Sequence, residues 1–256
     1  MPDGPLVSII VPTYNERERL EHFVRTLVRV LEDARLDGEI VIVDDNSPDG
    51  TGQLADALVA ELPVRVVHRP GKLGLGSAVM AGFAVAKGQR LGVMDADLSH
   101  PPERVPVLVA ALQQSGADIV IGSRYIPGGG TKNWPVSRAI MSRGACLAAR
   151  LVTPVHDAAS GFFVLRRPVL RGVEIKAAGF KICLELLVRG EVASVLEVPY
   201  VFSDRAAGQS KMNHREALGY VVQLGQLFRW NRGRRKARPV RRQLSPEEAD
   251  RLAARA

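Results

Sequence analysis

The sequence predicts an α/β protein built on a doubly wound, mostly parallel sheet with helices on both faces. Three observations predict it. Short, β-branched, nearly continuous apolar runs recur, as strands buried on both faces require. Amphipathic helical stretches separate them in regular alternation through about half of the 256 residues. Two of the runs also end abruptly in acids, at the place where an open sheet of this kind binds ligands.

Val7-Ser8-Ile9-Ile10-Val11 is the first such run, and Pro12-Thr13-Tyr14-Asn15-Glu16 ends it. Asn15 suits the N-cap of a helix whose apolar face is Leu20, Phe23, Val24, Leu27 and Leu31. After Asp37-Gly38 a second strand, Glu39 to Val43, ends in Asp44-Asp45, and Asp49 or Thr51 can cap the helix that follows. Val64 to His68 reads as a third strand. The glycine-rich loop Arg69-Pro70-Gly71-Lys72-Leu73-Gly74-Leu75-Gly76 then leads into a helix from Ala78 to Ala86. Gly-x-Gly-x-x-Gly fails there, because Val79 stands in the last glycine's place, and the first strand has no glycine turn. Neither a dinucleotide fingerprint nor a P-loop is present.

The fourth strand runs into Met94-Asp95-Ala96-Asp97-Leu98-Ser99-His100-Pro101-Pro102. On extended backbone residues i and i+2 point the same way, so Asp95 and Asp97 can converge on one polar object. Two carboxylates that close repel unless a positive charge lies beside them. A hard divalent cation meets that need and keeps coordination sites for phosphate oxygens. A helix from Glu103 to Gln114 and a strand from Asp118 to Gly122 complete the alternation. Right-handed crossovers then put the strand ends along one edge, so that Tyr14, Asp45, Asp95 and Asp97 share a cleft. Beyond Arg124 the pattern changes: Pro127 to Gly130 reads as a loop, Ser137 to Leu151 as a helix, and Gly161 to Leu165 and Val192 to Phe202 as further strands of the same domain.

The formal charge of +8 is local, since eight basic residues and no acid lie between Arg229 and Arg242. The sequence therefore divides into a domain over 1–228 and a basic, disordered tail over 229–256. That tail has only Trp230 as aromatic company and no base-stacking pattern, which speaks against nucleic acid. Cys146 and Cys183, far apart in apolar helical patterns, read as reduced core residues of a cytosolic protein. Asp3 and Pro5 interrupt any apolar leader, and no run of eighteen apolar residues occurs, so no spanning segment is expected.

Pro12-Thr13-Tyr14-Asn15-Glu16, Val43-Asp44-Asp45-Asn46-Ser47-Pro48-Asp49-Gly50-Thr51, Lys72-Leu73-Gly74-Leu75-Gly76, Asp95-Ala96-Asp97-Leu98-Ser99-His100-Pro101 and Gly122-Ser123-Arg124-Tyr125, in this order, closely resemble the family 2 glycosyltransferases. The likeness is closest to the branch that mannosylates dolichol or polyprenol phosphate. It continues through Trp134, Ser137-Arg138, Ser142-Arg143-Gly144, Gly161-Phe162, Glu185 and Asp204-Arg205 to Ser210-Lys211. The resemblance implies a GT-A fold, a GDP-mannose donor, Mg2+ or Mn2+, and inversion at the sugar carbon. Carried over residue by residue, it sets Pro12, Tyr14, Glu16, Val43 and Asp45 around the nucleotide. Asp95, Ala96 and Asp97 then face the diphosphate and metal, with Ser99 on the metal side where some relatives carry Gln. Arg124, Arg138 and Ser142 match positions that hold the acceptor phosphate. Arg205 and Lys211 match a mobile basic loop over the donor, and with Asp97 and Arg124 they are the expected catalytic residues.

The activity expected is transfer of mannose from GDP-mannose to a polyprenyl phosphate, giving polyprenyl phosphate mannose. Glucosyl or other hexosyl transfer to the same lipid phosphate, and a non-catalytic sugar-nucleotide-binding protein, are the alternatives. The leaving diphosphate needs a cation and basic side chains. A lipid phosphate is already ionised near neutrality, so no base need be poised, and the five histidines are accordingly scattered. His68 and His100 read as packing or solvent-facing groups, and Arg143 as part of a solvated face. Asp157 either supports the donor site or turns the chain, while Glu185, an acid within an apolar helix, either pairs or takes part in catalysis. Ser203 to Asn213, poor in apolar residues, is expected to be a mobile lid. His214 to Trp230 places Leu218, Val221, Val222, Leu224, Leu227 and Phe228 on a broad apolar face, which either packs on the sheet or meets a membrane. With the basic tail beside it, the chain is expected in the cytoplasm, peripheral on the inner face of an anionic membrane, where an integral membrane protein could share the anchoring.

Overall fold

Over residues 7–123 strand and helix alternate as the apolar pattern predicts. The structure, a computed structural model, describes residues 7–173, 175, 181–203, 214–234 and 239–254. Its first half comprises β1 (Val7–Thr13), α1 (Arg17–Asp33), β2 (Gly38–Asp44), α2 (Thr51–Val59), β3 (Val64–His68), α3 (Leu75–Val85), β4 (Arg90–Val93), α4 (Arg104–Ser115) and β5 (Ile119–Ser123). There follow β6 (Gly130–Lys132), α5 (Val136–Ala149), β7 (Phe163–Arg166), α6 (Ile182–Arg189), β8 (Ser194–Pro199), β9 (Val201–Ser203), α7 (His214–Arg234), β10 (Val240–Gln243) and α8 (Pro246–Ala253).

One sheet has the order β10-β8-β5-β7-β4-β1-β2-β3, and β6 pairs with β9 in a second. β7 runs antiparallel between β4 and β5, and the other pairs are parallel. The strand run of β7 is as apolar as the rest, and such a run carries no mark of direction. Burial on both faces explains the continuous apolar runs. Along β1, Ile9 and Val11 join Leu20, Phe23, Leu27 and Leu108 in one core, whereas Ile10 joins Val79, Phe83 and Leu184 in the other. α3 approaches so closely that a Cβ on Gly82 would stand 2.6 Å from Ile10 Cγ2. That helix starts at Leu75, inside the glycine-rich loop, rather than at Ala78.

Asn15 does not cap α1. Its φ of 59° puts it in the left-handed region, and Glu16 is the N-cap. Two N–H groups at the helix start are taken by the loop after β2 and the first residue of α2: Glu16 donates to Thr51 Oγ1 at 3.0 Å and Arg17 to Asp49 Oδ2 at 3.2 Å.

The expectation of a disordered tail over 229–256 is corrected for its described residues, because α7 continues to Arg234 and Val240–Gln243 form a strand of the sheet. β10 pairs with β8, Gln243 opposite Glu197, and α8 opens with a capping box between Ser245 and Glu248 and buries Ala249. Composition predicts solvation, but Arg241 donates to Glu197 Oε2 at 2.9 Å and Arg242 to the Ser115 carbonyl at 2.8 Å. The apolar residues of α7 divide: Tyr220 and Leu227 are buried with Gln223, while Leu218, Val221, Val222 and Phe228 are exposed. Among the described residues no helix is long and apolar enough to cross a membrane. Cys146 and Cys183 are buried free thiols, as expected of core residues, and burial pushes the Cys146 thiol up to about 12.

Candidate active site

The ends of β1, β2 and β4 lie side by side, with Thr13 in register with Asp44 and Ile10 with Val93. Ser47 ties the first two exits together: its Oγ accepts from the Asn15 N–H at 3.0 Å and donates to Asp44 Oδ1 at 2.5 Å. Asp44 is thereby a turn former. Asp45 instead accepts from Arg69 Nη1 at 2.5 Å, and Arg69 Nη2 donates to Ser77 Oγ at 2.6 Å. Burial pushes the Asp45 carboxyl above its ordinary range, with Arg69 opposing it. Tyr14 stays exposed, with Lys72 Nζ 4.5 Å from its ring centroid.

β4 ends at Val93 and the chain turns from Ala96, so Asp97 lies in that turn and Asp95 just before it, both beyond the strand. Hydrogen bonds shape that turn. The Ser99 N–H and Oγ–H both donate to Asp97 Oδ1, at 2.9 and 2.5 Å, and the Asp95 N–H donates to His100 Nδ1 at 3.2 Å. Leu98 between them has φ 61°, a costly conformation for a branched side chain and a mark of local strain. His100 is buried and stacks on Phe162 at 5.2 Å. Burial pushes its pKa down, so the imidazole is neutral with Nδ1 as acceptor. It packs, as the sequence predicts, and it also anchors the acid turn. Two hard carboxylates fit a divalent cation by their chemistry, with the Ser99 hydroxyl engaged in orienting Asp97. Among the described residues no group of three or more His, Cys, Asp or Glu gathers as ligands, so a cation there would complete its shell from phosphate oxygens and water.

A second cluster is cationic and aromatic. Arg124 grips Asp157 through Nε and Nη2, both at 2.7 Å, and its N–H adds a third bond at 2.9 Å. Burial alone would lower the guanidinium's pKa, but the charge and bonds of Asp157 outweigh it and raise it. Arg138 stacks on Trp134 at 4.3 Å, Arg124 lies 5.4 Å from the same ring, and Tyr125 Oη donates to Ser142 Oγ at 2.7 Å. A groove of about 340 Å³ opens beside this cluster, lined by Arg124, Tyr125, Arg143, Leu147, Arg150 and His156. An aromatic column joins the clusters, since His100 meets Phe202 at 5.4 Å and Phe202 meets Trp134 at 5.3 Å.

Tyr14, Asp45, Asp95 and Asp97 thus stand at one sheet edge, with Pro12 and Glu16 half-buried beside Tyr14, and Arg124, Arg138 and Ser142 gather around Trp134 and Tyr125. The side chains of Val43 and Ala96 belong to the cores, which leaves only their main chains for a ligand. Arg205, Lys211 and the expected lid over 203–213 beyond Ser203 lie outside the described residues. His68 is exposed and pairs with Asp56, and Glu185 finds its partners in Arg189 at 2.6 Å and Gln223 at 2.9 Å. Sequence reasoning missed Arg69, whose only signal is its place after β3, and Lys181, a half-buried cation whose pKa is pushed down by burial and then by Arg124.

Residues 8–173 match the profile of Glycosyl transferase family 2. A dolichol-phosphate mannosyltransferase of Pyrococcus furiosus is 45% identical over 228 residues, 88% of this chain and 64% of that protein, so the chain spans less than two thirds of that relative's length. A polyprenol monophosphomannose synthase of Mycolicibacterium smegmatis is 41% identical over 241 residues, 88% of this chain and 89% of that protein. Among solved structures, a mannosyltransferase from Pyrobaculum calidifontis in complex with GDP-Man and Mn2+ aligns with a TM-score of 0.60 and 19% identity, covering 100% of this chain and 70% of that one, a likeness of fold.

Proposed function

The chain belongs to glycosyl transferase family 2 and is an enzyme of GT-A fold, and from that premise we propose that it transfers mannose from GDP-mannose to a polyprenyl phosphate with inversion. The observation that carries the reading is the pair of unlike clusters joined by one aromatic column: acids at the strand ends, and an arginine–serine surface beyond Trp134. The acids suit a metal-bound diphosphate, and the arginines suit a second phosphate.

Tyr14, Pro12, Glu16 and Asp45, with the main chain at Val43 and Ala96, are assigned to the nucleotide. Asp95 and Asp97 would hold Mg2+ or Mn2+, which supplies charge neutralisation on the leaving diphosphate, and Ser99 orients Asp97. Arg138 and Ser142 are assigned to the acceptor phosphate. Arg124 stands behind them as a fixed charge, because Asp157 already takes its Nε–H and one Nη2–H. Arg205 and Lys211 are assigned over the donor. In the reaction an oxygen of the acceptor phosphate attacks C1 of mannose, the bond from C1 to the β-phosphate oxygen breaks, and GDP leaves with the electron pair. The nucleophile is already ionised, so no proton has to be taken from it.

The acceptor's chain holds it in a bilayer, since each methylene withdrawn into water costs roughly 0.8 kcal/mol. We assign the membrane-facing surface to α5 and α7. They touch where Tyr220 Oη donates to the Ala145 carbonyl at 2.7 Å, and they expose Ile140 and Leu147 on one and Leu218, Val221 and Val222 on the other. Transfer of labelled mannose into extractable lipid tests the activity. In the same assay Arg138→Lys should raise the acceptor requirement and leave the donor requirement unchanged.

A further inference from the structure

Glu197 on β8 is fully buried, and its two oxygens serve different parts of the fold. Oε1 accepts from Ser123 Oγ at 2.8 Å and from the Asp157 N–H at 3.1 Å. Oε2 accepts from the His156 N–H at 3.1 Å and from Arg241 Nη1 at 2.9 Å, with His156 Nδ1 at 3.2 Å. Arg241 also contacts the His156 ring. A buried carboxylate is tolerated only when charge and hydrogen bonds compensate it, and removal of one partner leaves an uncompensated charge. The cation here comes from β10, the segment that the sequence reads as a solvated tail.

The connection continues to the candidate active site. Glu197 fixes the main chain of residues 156–157 from below, and Asp157 then holds Arg124 through two side-chain bonds and one backbone bond. We propose that Arg241 is a positioning residue for the acceptor side. Through Glu197 it fixes the Asp157 turn, and through Asp157 it sets the guanidinium of Arg124, so that the C-terminal strand completes the acceptor cluster. This deepens the proposed function, resting on its assignment of Arg124 to that side. Arg241 touches no substrate and acts through two carboxylates in series.

The test uses the full chain with Arg241→Gln, which keeps a hydrogen-bond donor and removes the charge, and Arg241→Lys, which keeps the charge. Two readouts separate the inference from the activity. Kinetics with GDP-mannose and a short-chain polyprenyl phosphate should show an acceptor KM raised about tenfold in Arg241→Gln, a range typical of residues coupled in one network, with donor KM within about twofold and most of the loss recovered in Arg241→Lys. The NMR resonance of the Arg124 Nε–H, assigned by its loss in Arg124→Lys, should shift or broaden in Arg241→Gln and return in Arg241→Lys. That readout stands even if the wild-type chain transfers no mannose, which would defeat the proposed function alone. An unmoved Arg124 resonance in folded Arg241→Gln, or donor and acceptor KM changing together, would overturn the inference. Should Arg241→Gln not fold, the double variant Arg241→Gln with Glu197→Gln, which strands no buried charge, carries the test: a shifted Arg124 resonance with the acceptor KM alone raised supports it, and an unmoved resonance or both KM values raised together refutes it.

Discussion

Arg124 and Asp157, thirty-three positions apart, meet through two parallel 2.7 Å hydrogen bonds at a carboxylate wholly closed to solvent. The pair is bidentate, and one oxygen also takes the Arg124 N–H, so the guanidinium's orientation is fixed by both side chain and main chain. Asp157→Ala should lower stability by about 3–5 kcal/mol in urea unfolding, because it strands a buried cation. A loss below about 1 kcal/mol would mean that the guanidinium has another way to reach water or charge.

Ser99 does not need to touch a metal to matter. Its hydroxyl and N–H both donate to Asp97 Oδ1, which fixes that carboxylate's rotation. Ser99→Ala should therefore raise the Mg2+ or Mn2+ concentration needed for half-maximal activity by about tenfold or more, as loss of an outer-shell partner does, with GDP-mannose KM at saturating metal little changed. An unaltered metal requirement would show that Ser99 does not orient Asp97 for the metal. Excess chelator should abolish wild-type transfer.

His100 gives the fold a pH dependence of known sign. Burial lowers its pKa below the ordinary 6.5, so the unfolded chain takes up the proton first. The stability held by neutral His100 is present above that value and is lost as pH falls below it. Unfolding free energies measured from about pH 7 to about pH 5 should fall less steeply in His100→Gln than in wild type. Parallel slopes would show that His100 is protonated in the folded protein.

The exposed residues of α7 give a surface test. Leu218 and Val222 sit one turn apart in solvent, so Leu218→Gln with Val222→Gln should leave stability within about 0.5 kcal/mol. Binding to anionic liposomes should weaken by about tenfold or more if both side chains enter the interface, given about 1.5 kcal/mol or more for each. Undiminished binding would transfer the anchor to α5 or to basic residues.

The alternating strands and helices were legible because both periods are local properties of the chain, and so was the edge where Tyr14, Asp45, Asp95 and Asp97 stand. What was not legible is long-range. No feature near Phe163 marks β7 as antiparallel, since direction is set by how the chain returns to the sheet. The basic run near Arg241 looked solvated because its counter-charge, Glu197, lies forty-four positions away in an apolar strand. Arg124 looked like an open phosphate ligand for the same reason: Asp157 is remote in sequence and its burial invisible there. Asp95 and Asp97 were found by their spacing, although the turn that holds them is formed by Ser99 and His100 rather than by strand geometry.

Transfer by the purified chain, with Mg2+ or Mn2+, from GDP-mannose labelled in the sugar to a polyprenyl phosphate in liposomes tests the proposed activity itself. Label should enter extractable lipid as a β-linked mannosyl phosphate, the inverted configuration, and should be lost in Asp97→Ala with the fold retained. Label entering lipid from another nucleotide sugar but not from GDP-mannose, an α-linked product, or full transfer by Asp97→Ala would contradict it.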